Sequence, residues 1–438
     1  VDNTETWHTL VHVCRRWRNI VFGSPRRLNL RILCTARKRI TTTLNVWPAL
    51  PIVIRDHYSN VHSESPLMEG ADNVVAALDL KDRVHQISFW NYPSSLLQRV
   101  APAMLGSFSA LISLDIASRD VTIPAAVFPE SFLGGSVPRL RSCFLMGIPF
   151  PGIRKLLLST NQLVKLTLRD TPHSGYISPE DMVTCLSAMP NLKTFWLGFR
   201  SRESIPDQSS QRPPPRTQAD LPALTEFGFE GTSEYMEDLL LRINAPSLCV
   251  AYIHLCYLLV FNTPQLHNFL AHTQIFESCS AGVVEFHYND VYFRHGHQFS
   301  LGISCVTSSR QLSSLVQICS LSFPPIRTLE RLDIRMVSVS IPCLQGDSDV
   351  ENNSWPEFFR PFTALKCLCL DKGFARRIAP ALRQSQLATE ETTPVLPALQ
   401  SLFIWELPGP IQEATKEFVT ARQLSGLPVA VYSWDGQS

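Results

Sequence analysis

The sequence lacks an excess of charge of either sign: Lys and Arg number 39 against 38 Asp and Glu, a formal net charge of +1. With no net field to gather phosphates or an anionic bilayer, neither nucleic acid nor a membrane surface is an expected partner. A long apolar run is missing too. The longest, Leu248 to Phe261, contains His254 and falls short of the ~18 residues that span a bilayer. The opening VDNTETWHTL has no signal-peptide character, so a cytoplasmic or nuclear protein is expected.

No C-x-x-C pair occurs among the twelve cysteines. Cys143, Cys249, Cys367 and Cys369 interrupt apolar strand-like runs, which predicts buried thiols in place of a disulfide framework or a zinc site. The sequon Asn352-Asn353-Ser354 has no secretory context that would make it a glycan site. His8 and His12 stand one helical turn apart without the Glu that a metalloprotease needs, and read as helix-surface histidines. His295 and His297 flank Gly296 in an expected loop with no thiol or carboxylate cluster near in sequence. No G-x-S-x-G, G-x-x-x-x-G-K-[ST] or G-x-G-x-x-G occurs. The prediction is therefore no catalytic residue, no metal ligand and no cofactor.

A repeat is present. The chain has 438 residues, past the ~250–300 at which one compact core stops growing, so several domains or an array are required. The pattern apolar-x-x-apolar-x-apolar begins at Val84, Leu111, Leu140, Leu163, Leu192, Leu224, Leu248, Val283, Leu329, Leu365 and Leu399, with LVKLTL, LERLDI and LKCLCL its most regular copies. Most starts are 23 to 36 residues apart, enough for one strand and one helix. The 46-residue gap after Val283 leaves room for a degenerate copy with a strand over Phe299, Leu301, Ile303 and Cys305. Strand side chains alternate, so Leu166 and Leu168 share one side.

Between strands, helices are predicted from Ser178 as N-cap with Pro179 at the first position, from Ser233 through Ile243, and after Thr263-Pro264. A terminal helix from about Pro410 to Leu424, with Ile411, Ala414, Phe418 and Ala421 on one face and Gly426 as its stop, precedes a closing strand at Val429 to Tyr432. Ser201 to Asp220, with RPPPR, and the acidic Gln345 to Ser354 read as loops, the first of them mobile.

The strand segment resembles the leucine-rich repeat, L-x-x-L-x-L, over roughly Val84 to Ile404. That resemblance implies an α/β solenoid over residues 31–438, a curved, mostly parallel sheet with helices on its convex side. At the ninth position, where the family carries Asn or Cys, only Thr171, Thr232 and Cys256 could serve.

Residues Thr6 to Leu30 carry a second resemblance. VCRRWRNIV, Val13 to Val21, looks like the V-C-[KR]-x-W-R core of an F-box truncated at its N-terminus, and Val1 in place of Met suggests a fragment. Leu10, Val13, Cys14, Trp17, Ile20 and Val21 fall at helical spacing on one face, with Arg15, Arg16 and Arg18 away from it. A plain cap over the first repeat is the competing reading. The F-box resemblance implies that Leu10, Val13, Cys14, Trp17 and Ile20 contact a Skp-family adaptor, and through it a cullin ubiquitin ligase, while the repeats hold an unknown target protein. HSGYISPEDMVTCLS, RPPPR, LPALQSLFI and FVTARQLSG look especially like the F-box-like families of mushroom-forming fungi.

On a solenoid strand, the third, fifth and seventh residues of each copy line the concave face. These include Gln86, Trp90, Phe144, Lys165, Arg169, Trp196, Glu226, Glu230, Tyr252, His254, Glu285, His287, Arg331, Asp333, Arg335, Phe403 and Trp405. Trp, Tyr and Arg commonly dominate interface energies, so a protein-binding surface is expected, with Trp90, Phe144, Lys165, Arg169, Trp196, Tyr252, His254, Arg331, Arg335, Phe403 and Trp405 as its contacts. Charge is banded along it, basic at Lys165 and Arg169 and acidic from Glu226 to Glu285. A register error of one would exchange the core and surface sets.

Overall fold

The computed structural model describes residues 7–24, 30–36, 49–57, 65–118, 127–200, 217–256, 263–276, 280–305, 309–320, 324–337, 348–371, 374, 378, 395–405 and 409–434. The RPPPR segment, most of the Ser201 to Asp220 segment and residues 345–347 fall outside them. The chain divides into two units, Val1–Leu224 with Arg242–Ala245, and Thr225–Leu241 with Pro246–Ser438.

In the first unit seven strands lie in chain order, each parallel to the next. They are β1 (Ile32–Cys34), β2 (Ile52–His57), β3 (Val84–Tyr92), β4 (Ser113–Ser118), β5 (Ser142–Met146), β6 (Lys165–Thr171) and β7 (Thr194–Phe199). The fourth residues of successive copies pair across the ladder, Ile87 with Leu114, Leu114 with Cys143, Cys143 with Leu166, and Leu166 with Phe195. All five are buried, so the repeat and the register coincide. The backbone N–H of each copy's second residue reaches back to the second residue before it: Ile112 to His85, Arg141 to Ile112, Val164 to Arg141, and Lys193 to Val164, each at 2.8 Å. A short β8 (Ala219–Asp220) pairs in parallel with β10 (Ile243–Asn244), which places the end of the expected mobile loop in a strand.

Strands β1 and β2 precede the first copy found by pattern. Ile54 occupies the place of Ile87, but the residue opposite Phe89 is Asp56, whose carboxylate accepts the Tyr92 hydroxyl at 2.7 Å. An acid at an apolar position hides the copy from a hydrophobic search and is tolerated because a buried tyrosine hydrogen-bonds to it.

The tight turn into five of the strands has its own signature. The N–H groups of Leu111, Leu140, Leu192, Leu224 and Leu399 donate to the carbonyls of Phe108, Val137, Met189, Leu221 and Leu396, three residues earlier. These five upstream side chains are buried. Pro138, Pro190, Pro222 and Pro397 stand second in four of the turns, where a fixed φ suits the chain.

The second unit contains β9 (Glu226–Gly231), β11 (Val250–Cys256), β12 (Ala281–Phe286), β13 (Asp290–His295), β14 (Phe299–Ser304), β15 (Arg331–Met336), β16 (Cys367–Leu370), β17 (Ser401–Trp405) and β18 (Ala430–Trp434). Their spatial order is β9-β11-β14-β13-β12-β15-β16-β17-β18. The β12–β13–β14 meander interrupts the array: β13 is antiparallel to both neighbours, and β14, not β12, lies beside β11. A strand from Phe299 to Cys305 was expected and β14 ends one residue sooner, at Ser304, but its place next to β11 was not expected. The copy assigned to Val283 also shifts. Val283 pairs with Asp333, and Glu330 N–H donates to Ser280 O, so the copy in register starts at position 279. Its fourth residue is Gly282, too small to register as apolar, and Tyr288 is exposed instead of inward.

Helices follow the predicted caps with two exceptions. Ser178 Oγ accepts the Asp181 N–H at 3.1 Å at the start of the helix Pro179–Ser187, which buries Met182, Val183 and Leu186. For the helix Ser233–Leu240 the cap is Thr232, one residue before the predicted Ser233, and the helix ends before Ile243, which joins β10. Thr263 precedes the helix Pro264–Ala271 without a side-chain cap bond. Its place is taken by Glu237 on the preceding helix, whose carboxylate accepts the Gln265 and Leu266 N–H groups at 2.8 and 2.9 Å. The terminal helix Gly409–Leu424, its stop at Gly426 (φ +72°) and the closing β18 match the expectation.

Residues 348–354 of the expected acidic loop belong to the helix Ser348–Phe359. Trp355, Phe358 and Phe359 are buried there, and the Trp355 ring meets Phe286, Phe359 and Phe374, a burial that outweighs weak local propensity and Pro356.

Candidate functional site

Each sheet buries its Leu-bearing side and leaves the other side open. In the first unit the fifth residues Asp115, Phe144, Thr167 and Trp196 stand opposite one another on β4 to β7. Trp90 extends from β3 across β4 and stacks on Phe144 at 4.8 Å. Farther along, the Arg169 guanidinium lies 4.0 Å over the Trp196 ring. Trp90 is 41% exposed, Lys165 is exposed, and Phe144, Arg169 and Trp196 are half-buried. Four of the five residues expected on this face thus form two aromatic pairs, one of them with a cation, and Lys165 stands exposed on the same face. Aromatic faces and guanidinium together suit protein recognition, since each offers large, stiff contact area.

In the second unit the open face is polar, because the meander adds strands whose outward residues carry charge. His254 on β11 sits with Nδ1 3.7 Å from Glu230 Oε1 and Nε2 3.5 Å from Asp290 Oδ1. Ser304 Oγ is 3.0 Å from Nε2 and donates to Asp290 at 2.6 Å. Burial pushes the imidazole toward neutrality, but hydrogen bonds to Asp290 and Glu230 outweigh it and raise the His254 pKa to about 9. Ser, His and two acids in contact have the residue types of a nucleophilic triad. Here the serine proton points at Asp290 and the imidazole is already cationic, the reverse of what removes a hydroxyl proton.

A close approach holds this group together. A Cβ at Gly302 would lie 2.5 Å from Tyr292 Cε1 and 2.9 Å from His254 Cδ2, so only glycine lets the two rings, 5.6 Å apart, share the space above it. Beyond Tyr292, Glu285 pairs with Arg294 at 3.1 Å and lies 3.8 Å from His287. Tyr252, half-buried, donates its hydroxyl to His297 O at 3.4 Å.

Past β15 the face changes again. Asp333, expected to point to solvent, is 4% exposed because Arg331 and Arg335 close over it at 3.0 and 2.7 Å. Cys367 and Cys369 follow on β16, and Phe403 stacks on Tyr432 at 4.9 Å. Trp405 ends β17, and its side chain is outside the described residues. His295, expected in a loop, is instead a buried residue of β13 with its ring 5.4 Å from Phe276. Of the cysteines expected to be buried, Cys143 and Cys369 are, while Cys249 and Cys367 are half-buried. At the ninth position, the Thr232 hydroxyl caps a helix instead of bridging neighbouring backbones. Among the described residues no group of three His, Cys, Asp or Glu could hold a metal ion.

The N-terminal segment forms two helices, Trp7–Val11 and Arg15–Gly23, not one continuous helical face. Val13 and Cys14 therefore lie in the turn between them. Trp7 Nε1 donates to Arg31 O at 3.0 Å, and Arg18 Nε to Val11 O at 3.1 Å. Trp7, Val11 and Val21 are buried, and Leu10 is half-buried. Val13, Trp17 and Ile20 are 64%, 47% and 56% exposed, and Cys14 is exposed.

No protein-family model and no curated protein matches the chain. Among solved structures it is similar to the leucine-rich repeat-containing protein LegL7 from Legionella pneumophila, at 12% identity and a TM-score of 0.30, over 89% of this chain and 97% of that one. The repeat character rests on the strand register described above. No described helix is long and apolar enough to cross a membrane.

Proposed function

We propose that this chain is a protein-binding repeat subunit, non-catalytic in itself, that holds a target on its open sheet faces and docks through its N-terminal helices on a Skp-family adaptor of a cullin ubiquitin ligase. The observation that carries the docking half is the solvent exposure of Val13, Trp17 and Ile20 beside three well-buried anchors. Trp7 is turned inward as a cap over the first repeat requires, but a helix pair that served only as a cap would not also leave Val13, Trp17 and Ile20 in solvent. The target-binding half is supported by the Trp90–Phe144 and Arg169–Trp196 groups.

The test is co-expression of the full-length gene product with the adaptor. Co-elution is expected, with loss on Trp17→Glu or Ile20→Glu and no change in thermal melting. A folded protein that never co-elutes with the adaptor would leave the second reading, a protein-binding scaffold without ubiquitin machinery. The aromatic face of the first unit supports that reading equally well.

A further inference from the structure

Cys367 and Cys369 are two residues apart on β16 and point to the same open side, with their sulfurs 3.8 Å from each other. Across the ladder Arg331 faces Cys367 and Asp333 faces Cys369. Arg331 Nε binds Asp333 at 3.0 Å, which holds the guanidinium beside the thiols. Cys367 is half-buried and Cys369 is buried, so an incoming small molecule meets the Cys367 sulfur first.

The surroundings separate the two thiols chemically. Hydrogen bonding from Cys369 lowers the Cys367 pKa to about 7, against burial and with help from Arg331. The Cys369 pKa moves strongly upward, because its proton is shared with Cys367 and Asp333 in a buried position. Burial instead pushes the Cys143, Cys185 and Cys256 thiols up to about 12. One thiol of the pair is thus a ready nucleophile, and the other keeps a proton to give.

The geometry points to a redox-active dithiol that takes a hydroperoxide as its substrate, with Cys367 attacking and Cys369 resolving. The Cys367 thiolate attacks one peroxide oxygen, the O–O bond breaks, and the leaving oxygen takes up a proton and departs as water or an alcohol. The sulfur is oxidised to a sulfenic acid and the peroxide is reduced. The Cys369 sulfur then displaces the sulfenic oxygen, an S–S bond forms as the S–O bond breaks, and the oxygen leaves as water with the Cys369 proton. Two residues along a strand span ~6.6 Å, at the upper end of the Cα separations a disulfide bridges, and their parallel side chains set the Cβ atoms farther apart than the ~4.5 Å it allows. The strand must therefore bend at Leu368 for the bond to close, and the product is strained and easily reduced.

Trypsin isolates the pair from the other ten cysteines, because cleavage after Lys366 and Lys372 releases CLCLDK. The reduced full chain is treated with a few equivalents of hydrogen peroxide, and its peptides are read by mass after alkylation. CLCLDK should lose two hydrogens before the peptides of Cys143 and Cys319 change, with a rate that rises through about pH 7. Cys369→Ser should stop at a dimedone-trappable sulfenic acid, Cys367→Ser should abolish the reaction, and Arg331→Gln should slow it several-fold and move its pH midpoint upward. The same peptide in urea-unfolded chain should react more slowly, a comparison that needs no variant to fold. Equal rates for folded and unfolded chain, or for the two serine variants, would overturn the assignment.

Discussion

The indole of Trp90 stacks on the ring of Phe144, 4.8 Å away and inclined by 29°, although a whole strand, β4, runs between the strands that carry them. The pair stands on the open side of the sheet, opposite Leu114 and Leu145, which are buried. Substitutions on the two sides should therefore behave differently. Leu166→Ala, a core truncation, should cost about 2–5 kcal/mol, whereas Trp90→Ala loses mainly the aromatic contact, about 0.5–1.5 kcal/mol. Urea titrations of the two variants measure the difference, and equal losses would mean that the tryptophan is part of the core.

Ser178 closes the first turn of its helix through the Asp181 N–H. Replacing it with Ala should cost about 1 kcal/mol, and replacing it with Asp should cost little, since either oxygen satisfies the same amide. Thermal melts of S178A and S178D check this.

Glu237 does the equivalent task from a distance, capping the Pro264 helix with both carboxylate oxygens. Gln keeps one acceptor and loses the charge that favours a helix N-terminus; Ala loses both. Stability should fall in the order Glu237, Gln, Ala, with a loss of about 1–3 kcal/mol for Ala. Hydrogen exchange should show the amides of Gln265 and Leu266 losing protection first.

The His254 cluster gives stability a pH dependence of defined sign. Burial lowers the His254 pKa, but hydrogen bonds to Asp290 and Glu230 carry it up to about 9, above the ~6.5 of an unfolded chain. Its contribution is fully present below about pH 6.5 and disappears as pH rises through about 9. Asp290 works oppositely: its pKa is lowered, chiefly by His254, so its contribution holds above the ordinary carboxylate range and fades as pH falls through the folded value. His254→Gln should flatten the alkaline limb of a stability–pH profile, and an unchanged limb would refute the assignment.

Gly302→Ala should disrupt the same cluster from below, because the added methyl meets Tyr292 and His254 at once. The histidine's NMR titration midpoint should drop from about 9 in this variant, as the ring loses its place between the carboxylates.

The alternation of side chains could be read without coordinates. A strand has a period of two, so once Leu111, Leu140 and Leu163 mark the register, the side on which Phe144, Lys165 and Trp196 stand is settled by counting. Helix starts at Ser178 and the stop at Gly426 were legible for the same reason, since capping is a contact between residues near in sequence. Which copy lies beside which was not a local matter. The chain from β11 skips two places before β12 and returns through β13, and Gly282 and Asp56 hold apolar positions without being apolar. Those choices depend on pairing between distant segments, as do the meeting of Glu230, His254, Asp290 and Ser304 and the cap that Glu237 lends to another helix. Periodicity is a property of neighbours along the chain; adjacency of strands is set by the packing of the whole core, and only folding decides it.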